Sequence, residues 1–359
     1  MFPVTKPFLP PKQAYDRILE TTWDNNWLTN NGPLLRELEV KVKDYLSASN
    51  MSFVTNGTIA IQLAIKALNI TGEIITTPFS YVATTSAPAW ENCDIIFAEI
   101  DPDSFNIDPK SVESLITDKT QAILATHVFG NPIEIEAIQE IADKYNLSVI
   151  YDAAHCFGVK YDNQSIFDFG DVSTLSTHAT KIFHTVEGGF ISARNEQTLR
   201  QINLMKNFGH DGVDKFSAIG INGKNSEFHA AMGLANLNYI NEILAKRKQQ
   251  YELYLTYLSD QKEIKLQTIH AKAQYNYSYF PIVLKDEDTL FKVQAALQEN
   301  KIIPRRYFYP SLNTLDYVKY ASLPIAEQLS KTILCLPLYF SLENKDIQHI
   351  CAVINEALN

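Results

Sequence analysis

The stretch from Ala122 to Gly158, AILATHVFGNPIEIEAIQEIADKYNLSVIYDAAHCFG, decides the fold. Ala122 to Thr126 is an apolar run of strand length, Ile133 to Tyr145 reads as a helix, and Leu147 to Tyr151 is a second strand-length run. Two strands joined through a helix run parallel, because the crossover is far longer than a hairpin turn. The alternation continues outward. On the N-terminal side, Ile74 to Thr77 and Ile95 to Glu99 read as strands, with helices at Ser80 to Glu91 and Pro109 to Ile116. On the C-terminal side, Val172 to Ser176 and Gly189 to Ala193 read as two more strands. Such an order predicts an α/β fold, a largely parallel sheet with helices on both faces.

In open sheets of this kind ligands gather at the carboxyl ends of the strands. Three polar or aromatic groups fall there: Pro78 to Tyr81, then His127 with Gly130 and Asn131, then Asp152 with His155. Asp152 directly follows the run Val149-Ile150-Tyr151, where a buried carboxylate is costly without a cationic partner. A protonated pyridine nitrogen is one such partner; a cap on the next helix is the competing reading. Upstream, Phe53 and Val54 read as a strand, Asn56-Gly57-Thr58 as a turn, and Ile59 to Leu68 as a buried helix. The helix N-terminus offers free N–H groups and the positive dipole end to a phosphate, although the same turn is also an ordinary helix cap.

The stretch Ser176 to Gly189, STHATKIFHTVEGG, holds Lys181 among Ser176, His178, His184, Glu187 and Gly188-Gly189. An amine that serves as a nucleophile must be partly deprotonated, through desolvation or neighbouring charge. Most lysines are surface charges, so Lys181 stands out only if its partners lie elsewhere in the chain.

The remaining sequence narrows the class. The chain has 359 residues, 46% of them apolar, and a formal net charge of -10, which suits large cores and argues against a general nucleic-acid or anionic-membrane surface. Cys93, Cys156, Cys335 and Cys351 lack the close spacing of a zinc or redox motif and read as buried thiols; no metal is assigned. Four prolines in the first eleven residues make Val4 to Pro11 an extended arm and interrupt any secretory signal. With no run long enough to span a bilayer, a cytoplasmic location is expected. Trp23 and Trp27, beside the turn-rich loop NNWLTNNGP from Asn25 to Pro33, read as packing residues, and Leu34 to Leu46 as a helix. The GKNSEFHAAMG segment superficially suggests a P-loop, but Ala218 stands where its first glycine belongs. GxGxxG, GxSxG and HExxH are also absent, which weakens dehydrogenase, hydrolase and metalloprotease readings. A long helix from about Leu237 to Leu258 leads to a C-terminal α+β part with an alternating strand candidate at Tyr275, Tyr277 and Tyr279 and helices at Asp286 to Glu299 and Ser341 to Leu358. Arg305-Arg306-Tyr307 is its one cationic-aromatic cluster.

Taken together, Asn56-Gly57-Thr58, TTPFSYVATTS (76–86), THVFGNP (126–132), YDAAHCFG (151–158), Ser176 to Gly189 and GKNSEFHAAMG (223–233) occur in the order of the DegT/DnrJ/StrS-type nucleotide-sugar aminotransferases, which the chain resembles over nearly its whole length. The resemblance implies the aspartate-aminotransferase fold: a large domain over 1–240 with a mostly parallel seven-stranded sheet, and a smaller C-terminal α+β domain over 241–359. It implies pyridoxal 5'-phosphate as cofactor. Lys181 then matches the lysine bonded to the cofactor aldehyde, and Asp152 the carboxylate paired with its ring nitrogen. Ser176, Gly57 and Thr58 match phosphate ligands, and Tyr81 an aromatic ring against the pyridine face. His155 stands near the ring hydroxyl, where many relatives have Gln. Asn225 matches a residue reaching the phosphate of a neighbouring subunit, so a homodimer with shared sites is implied. Asn31, His127, Arg305, Arg306 and Tyr307 are candidate substrate contacts.

The expected reaction moves nitrogen from glutamate to a dTDP-linked keto-6-deoxyhexose. The segments VTKPFLPP, NNWLTNNGP and HATKIFHTVEGG look most like enzymes that aminate dTDP-4-keto-6-deoxyglucose to dTDP-4-amino-4,6-dideoxyglucose for bacterial surface polysaccharide such as O-antigen. Amination at C3 of a dTDP-3-keto-6-deoxyhexose is the alternative. A catalytically silent nucleotide-sugar-binding relative is a third reading, against which the retained Lys181 and Asp152 count.

Overall fold

A computed structural model describes residues 1–359. The large sheet has seven strands: β1 (Ser52–Val54), β2 (Glu73–Thr76), β3 (Asp94–Phe97), β4 (Thr120–Thr126), β5 (Ser148–Asp152), β6 (Val172–Ser176) and β7 (Gly189–Ala193). Their order is β1-β7-β6-β5-β4-β2-β3. Pairings from β6 to β3 are parallel, and β7 runs antiparallel to both of its neighbours. That is the α/β architecture expected, and it follows from local causes. The β4 run is buried at six of its seven positions, which suits a central parallel strand covered on both faces. Between β1 and β2, helix α1 (Gly57–Ala67) buries Ala60, Ile61, Leu63, Ala64 and Ile65. Burying each of its larger aliphatic side chains is worth about 1.5–3 kcal/mol, enough to fix where the helix N-terminus points.

The C-terminal part builds a three-stranded antiparallel sheet from Ile264–Leu266, Phe280–Leu284 and Ile333–Leu336. Helices Glu287–Glu299 and Asn344–Leu358 cover it, and a core of 21 buried side chains lies entirely between Tyr251 and Ala357. A second apolar cluster bridges the two parts: Phe79, Phe105 and Phe129 meet Tyr279, Phe308 and Ile333. The N-terminal arm also crosses over, with Phe2–Pro3 pairing with Ile302–Ile303 and Leu338 N donating to Val4 O.

The long helix is Ile240–Leu258, close to the expected bounds, and a separate helix, Glu227–Leu237, precedes it. Two expectations need correction. Tyr275 to Tyr279 is not a strand: Tyr277 has φ 57°, and this irregular segment spends its polar groups on the large sheet's turns rather than on a ladder. Trp23 and Trp27 are not core; they are 64% and 42% exposed. All four cysteines are buried and unpaired, as read from the sequence.

Candidate active site

A cavity of about 480 Å³ opens at the carboxyl ends of β5 and β6. At one end is the N-terminus of α1. Asn56 caps it, its Oδ1 accepting from Ile59 N at 2.8 Å, which leaves the first helical N–H groups of Gly57 and Thr58 without intrahelical partners. A Cβ on Gly57 would lie 3.2 Å from Ser176 Cβ, so glycine is what brings this helix end against the Ser176 hydroxyl. Three hydrogen-bond donors, the N–H groups of Gly57 and Thr58 and the Ser176 hydroxyl, therefore converge beside a positive dipole end, a donor set suited to phosphate.

Asp152 ends β5 and lines the same cavity. Its Oδ2 accepts from Thr84 Oγ1 at 2.7 Å and its Oδ1 from Ala154 N at 3.1 Å. Thr84 Oγ1 in turn lies 2.7 Å from Ser80 Oγ, and Ser80 Oγ lies 3.0 Å from Thr126 Oγ1. Because Thr84 gives its proton to the carboxylate it must accept from Ser80, and Ser80 from Thr126, so one chain of hydroxyls points its protons at Asp152. Burial pushes the Asp152 pKa up, while Thr84, Ala154 N–H and Lys181 pull it down. A carboxylate so placed gains from a cationic N–H in the cavity.

Lys181 sits in the loop between β6 and β7. Thr177 and Thr185 brace that loop through their hydroxyls at 2.7 Å, and Thr177 N donates to Gly188 O at 2.9 Å. A Cβ on Gly188 would lie 2.1 Å from Thr185 Oγ1, which accounts for glycine there. His184 anchors the loop from outside the cavity, with Nε2 2.6 Å from Phe8 O and its carbonyl accepting from Asn236 Nδ2 at 2.9 Å. Lys181 Nζ has no side-chain hydrogen-bond partner. Burial lowers its pKa to about 8, against the opposing pull of Asp152 and Cys156. About a tenth of this lysine is therefore neutral amine at pH 7, far more than for an ordinary solvated lysine, as a nucleophile requires.

The opposite wall is aromatic. Tyr279, Tyr307 and Phe308 line it, and the His155 ring stacks on Phe308 at 5.9 Å and 5°. His155 Nδ1 accepts from Phe129 N at 3.2 Å, so the proton of the neutral ring sits on Nε2, which has no protein partner. Burial and Lys181 hold the His155 pKa well below the ordinary value. Tyr81 and Arg305 complete the rim, the Arg305 guanidinium lying 5.3 Å from the Tyr307 ring with no carboxylate partner.

Gly57, Thr58, Tyr81, Asp152, His155, Ser176, Lys181, Arg305 and Tyr307 are thus brought together. Four other candidates are not. His127 is fully buried, its Nδ1 accepting from Ile133 N, and it packs on Tyr151 rather than facing the cavity. Arg306 turns away to Glu287 at 2.7 Å and covers the Tyr309 ring. Asn31 lies in the loop before Pro33, outside the lining. Asn225 lies outside the lining of its own chain, donating to Glu187 O at 3.1 Å and Val54 O at 3.4 Å. His178 and Glu187, left without roles, do line the cavity as a half-exposed pair 3.5 Å apart. Sequence reasoning placed Ser80 at a strand end without giving it a role, and missed Thr84, Tyr279 and Phe308. A signal for Thr84 existed in its i, i+4 spacing from Ser80 within TTPFSYVATTS.

The chain is similar to known proteins over nearly its whole length. The model of the DegT/DnrJ/EryC1/StrS aminotransferase family matches residues 12–355. A dTDP-4-amino-4,6-dideoxy-D-glucose transaminase of Shigella dysenteriae is 39% identical, over 98% of this chain and 98% of its own length. A transaminase of the same name from Escherichia coli is also 39% identical, over 98% and 97%. A crystal structure of DesI in the presence of its TDP-sugar product superposes with a TM-score of 0.94 at 29% identity, covering 99% of this chain and 93% of that one.

Proposed function

Because the chain belongs to the DegT/DnrJ/EryC1/StrS aminotransferase family, we propose that it moves an amino group from glutamate to dTDP-4-keto-6-deoxyglucose, giving dTDP-4-amino-4,6-dideoxyglucose for bacterial surface polysaccharide. The reading rests above all on one observation: a half-buried amine, a buried carboxylate and a phosphate-type donor set share one cavity. These groups fit pyridoxal 5'-phosphate. When bound, that cofactor supplies an aldehyde that takes up amino nitrogen and a ring that draws electrons from the reacting carbon.

The chain's own residues divide the remaining work. Gly57 N–H, Thr58 and Ser176 would hold the phosphate, and Asp152, oriented by Thr84 and Ala154 N–H, would accept the hydrogen bond of the ring nitrogen. Tyr81 would cover the ring face, and His155 would donate from Nε2. Lys181 Nζ, once free, is the base that takes the proton from the amino donor's α-carbon and returns one to the sugar carbon that receives nitrogen. Arg305, the unpaired guanidinium at the rim, is proposed to hold an anionic group of a substrate, with Tyr307 beside it.

A homodimer belongs to the same proposal, with Asn225 serving the neighbouring site. The segment 208–221 supports it: Val213 is 90% and Ile219 97% exposed, and Phe208 and Phe216 join them in an apolar surface that a second copy would cover. Residues 241–359 are proposed as the smaller domain, on the strength of their separate core. No helix is long and apolar enough to cross a membrane; action in the cytoplasm remains part of the proposal.

The test offers purified protein glutamate with dTDP-linked 4-keto or 3-keto 6-deoxyhexoses and locates the new amine by NMR. Amination at C4 is expected. An amine at C3 would replace the acceptor assignment, and no amination of either sugar would favour a silent nucleotide-sugar-binding relative.

A further inference from the structure

The irregular segment Tyr275 to Ser278 reaches from the C-terminal part to the two turns that hold His155. Asn276 Nδ2 donates to His155 O at 2.7 Å and to Phe157 O at 2.9 Å, and Ser278 Oγ donates to the same His155 carbonyl at 2.6 Å. Tyr275 OH donates to Phe129 O at 3.0 Å, on the very residue whose N–H fixes His155 Nδ1. Phe129 and Gly130 have φ of 59° and 85°, so this turn holds a left-handed conformation that a bulky residue adopts only where its surroundings over-determine it. Gly130 is also required by space, since a Cβ there would lie 2.7 Å from Asn276 Oδ1 and 2.9 Å from His155 O. Behind the segment, Arg247 is buried and donates to three carbonyls, including Tyr277 O at 3.0 Å and Leu338 O at 3.0 Å, with Ser278 O as the third.

We propose that Asn276 and Ser278 are positioning residues for His155, a clamp anchored through Arg247 that sets the direction in which the Nε2–H enters the cavity. Four features combine to this end: a doubly bonded carbonyl, a left-handed turn delivering one N–H to Nδ1, a glycine that lets the segments touch, and a guanidinium holding the clamp's backbone. A clamp built only for stability has no need to meet on a residue whose ring lines the cavity. What His155 donates to rests on the cofactor reading; the clamp itself does not.

Two readouts separate these. In cofactor-free protein labelled with 15N-histidine, the imidazole nitrogens of His155 report its tautomer. The unmodified chain should show Nε2–H alone, and Ser278→Ala should show a mixture of tautomers with a native thermal melt. Should Ser278→Ala fail to fold, Asn276→Ser carries the same test. A single tautomer retained in the folded variant overturns the proposal. In pyridoxal phosphate-loaded protein, Ser278→Ala should move the pH midpoint of the visible absorbance in the same direction as His155→Phe, by about 0.5 unit, a threefold change in proton affinity. Adding Ser278→Ala to His155→Phe should then move it no further, whereas additive shifts would overturn action through His155. A tautomer change in protein that shows no visible band would leave the clamp standing and sink the cofactor reading instead.

Discussion

Two lysines, Lys181 and Lys206, are both drawn into the protein and face opposite fates. Lys206, just beyond helix Glu196–Met205, is only 3% exposed, and its ammonium meets Glu39 at 3.1 Å, Ser52 Oγ at 2.5 Å and Phe53 O at 3.1 Å. Three donors find three oxygens, so the charged form is fully accommodated. Lys181 is less deeply placed, has no hydrogen-bond acceptor at Nζ, and burial lowers its pKa to about 8. What makes a buried lysine reactive is therefore the absence of oxygens around it, more than its depth. Lys206 ties β1 to the helices, and Lys181 is kept available.

The contrast can be broken at several points. Lys181→Ala should lower amination by about 10⁴-fold while leaving the melt near that of the unmodified protein, because it removes a group that carries a proton and little packing. Lys206→Met should do the reverse. Leaving Glu39 and the Phe53 carbonyl without their cation costs about 3–5 kcal/mol in a denaturant titration, with turnover per folded molecule unchanged. A stable Lys206→Met protein would mean that the three oxygen contacts matter less than their geometry suggests.

Asp152→Asn should cost on the order of 10²–10³-fold in turnover, as for one partner removed from a buried charge pair, with weaker loss of cofactor binding. Ser176→Ala should weaken pyridoxal phosphate binding by about tenfold to a hundredfold, the worth of one charge-assisted hydrogen bond, measured by equilibrium dialysis. The smallest effect is on pH dependence. In cofactor-free protein, acylation of Lys181 should rise with pH through about 8. Below that midpoint the reactive fraction should fall about tenfold per pH unit. The sign for stability follows. Between about 8 and the ordinary value of 10.5 the folded chain has released this proton and the unfolded chain has kept it, so this lysine's contribution to stability rises with pH across that window.

The same contrast explains what could be read in the sequence. The sheet was legible because buried parallel strands are written as apolar runs, and Val172–Ser176 and Gly189–Ala193 fall where the pattern puts them. Asp152, Ser176 and Lys181 were legible because a polar residue at the end of such a run is conspicuous and the motifs around it are dense. The aromatic wall was not. Tyr279 lies at the junction of an irregular segment and a strand, and Phe308 lies in a loop, so no periodicity marks either as facing a cavity made by strands more than a hundred residues earlier. Tyr275 to Tyr279 looked like a strand because its alternation is real, but Asn276 and Ser278 bond turns of the other part rather than a neighbouring strand. His127 and Arg306 show the opposite failure: polar residues in suggestive positions whose partners, Ile133 N and Glu287, lie away from the cavity.

The most direct test of Lys181 as the cofactor-bearing amine is chemical. Purified protein incubated with pyridoxal phosphate is reduced with borohydride, digested and mapped by mass spectrometry. The pyridoxyl group should be found on Lys181 alone; its presence on another lysine, or on none, would contradict the account.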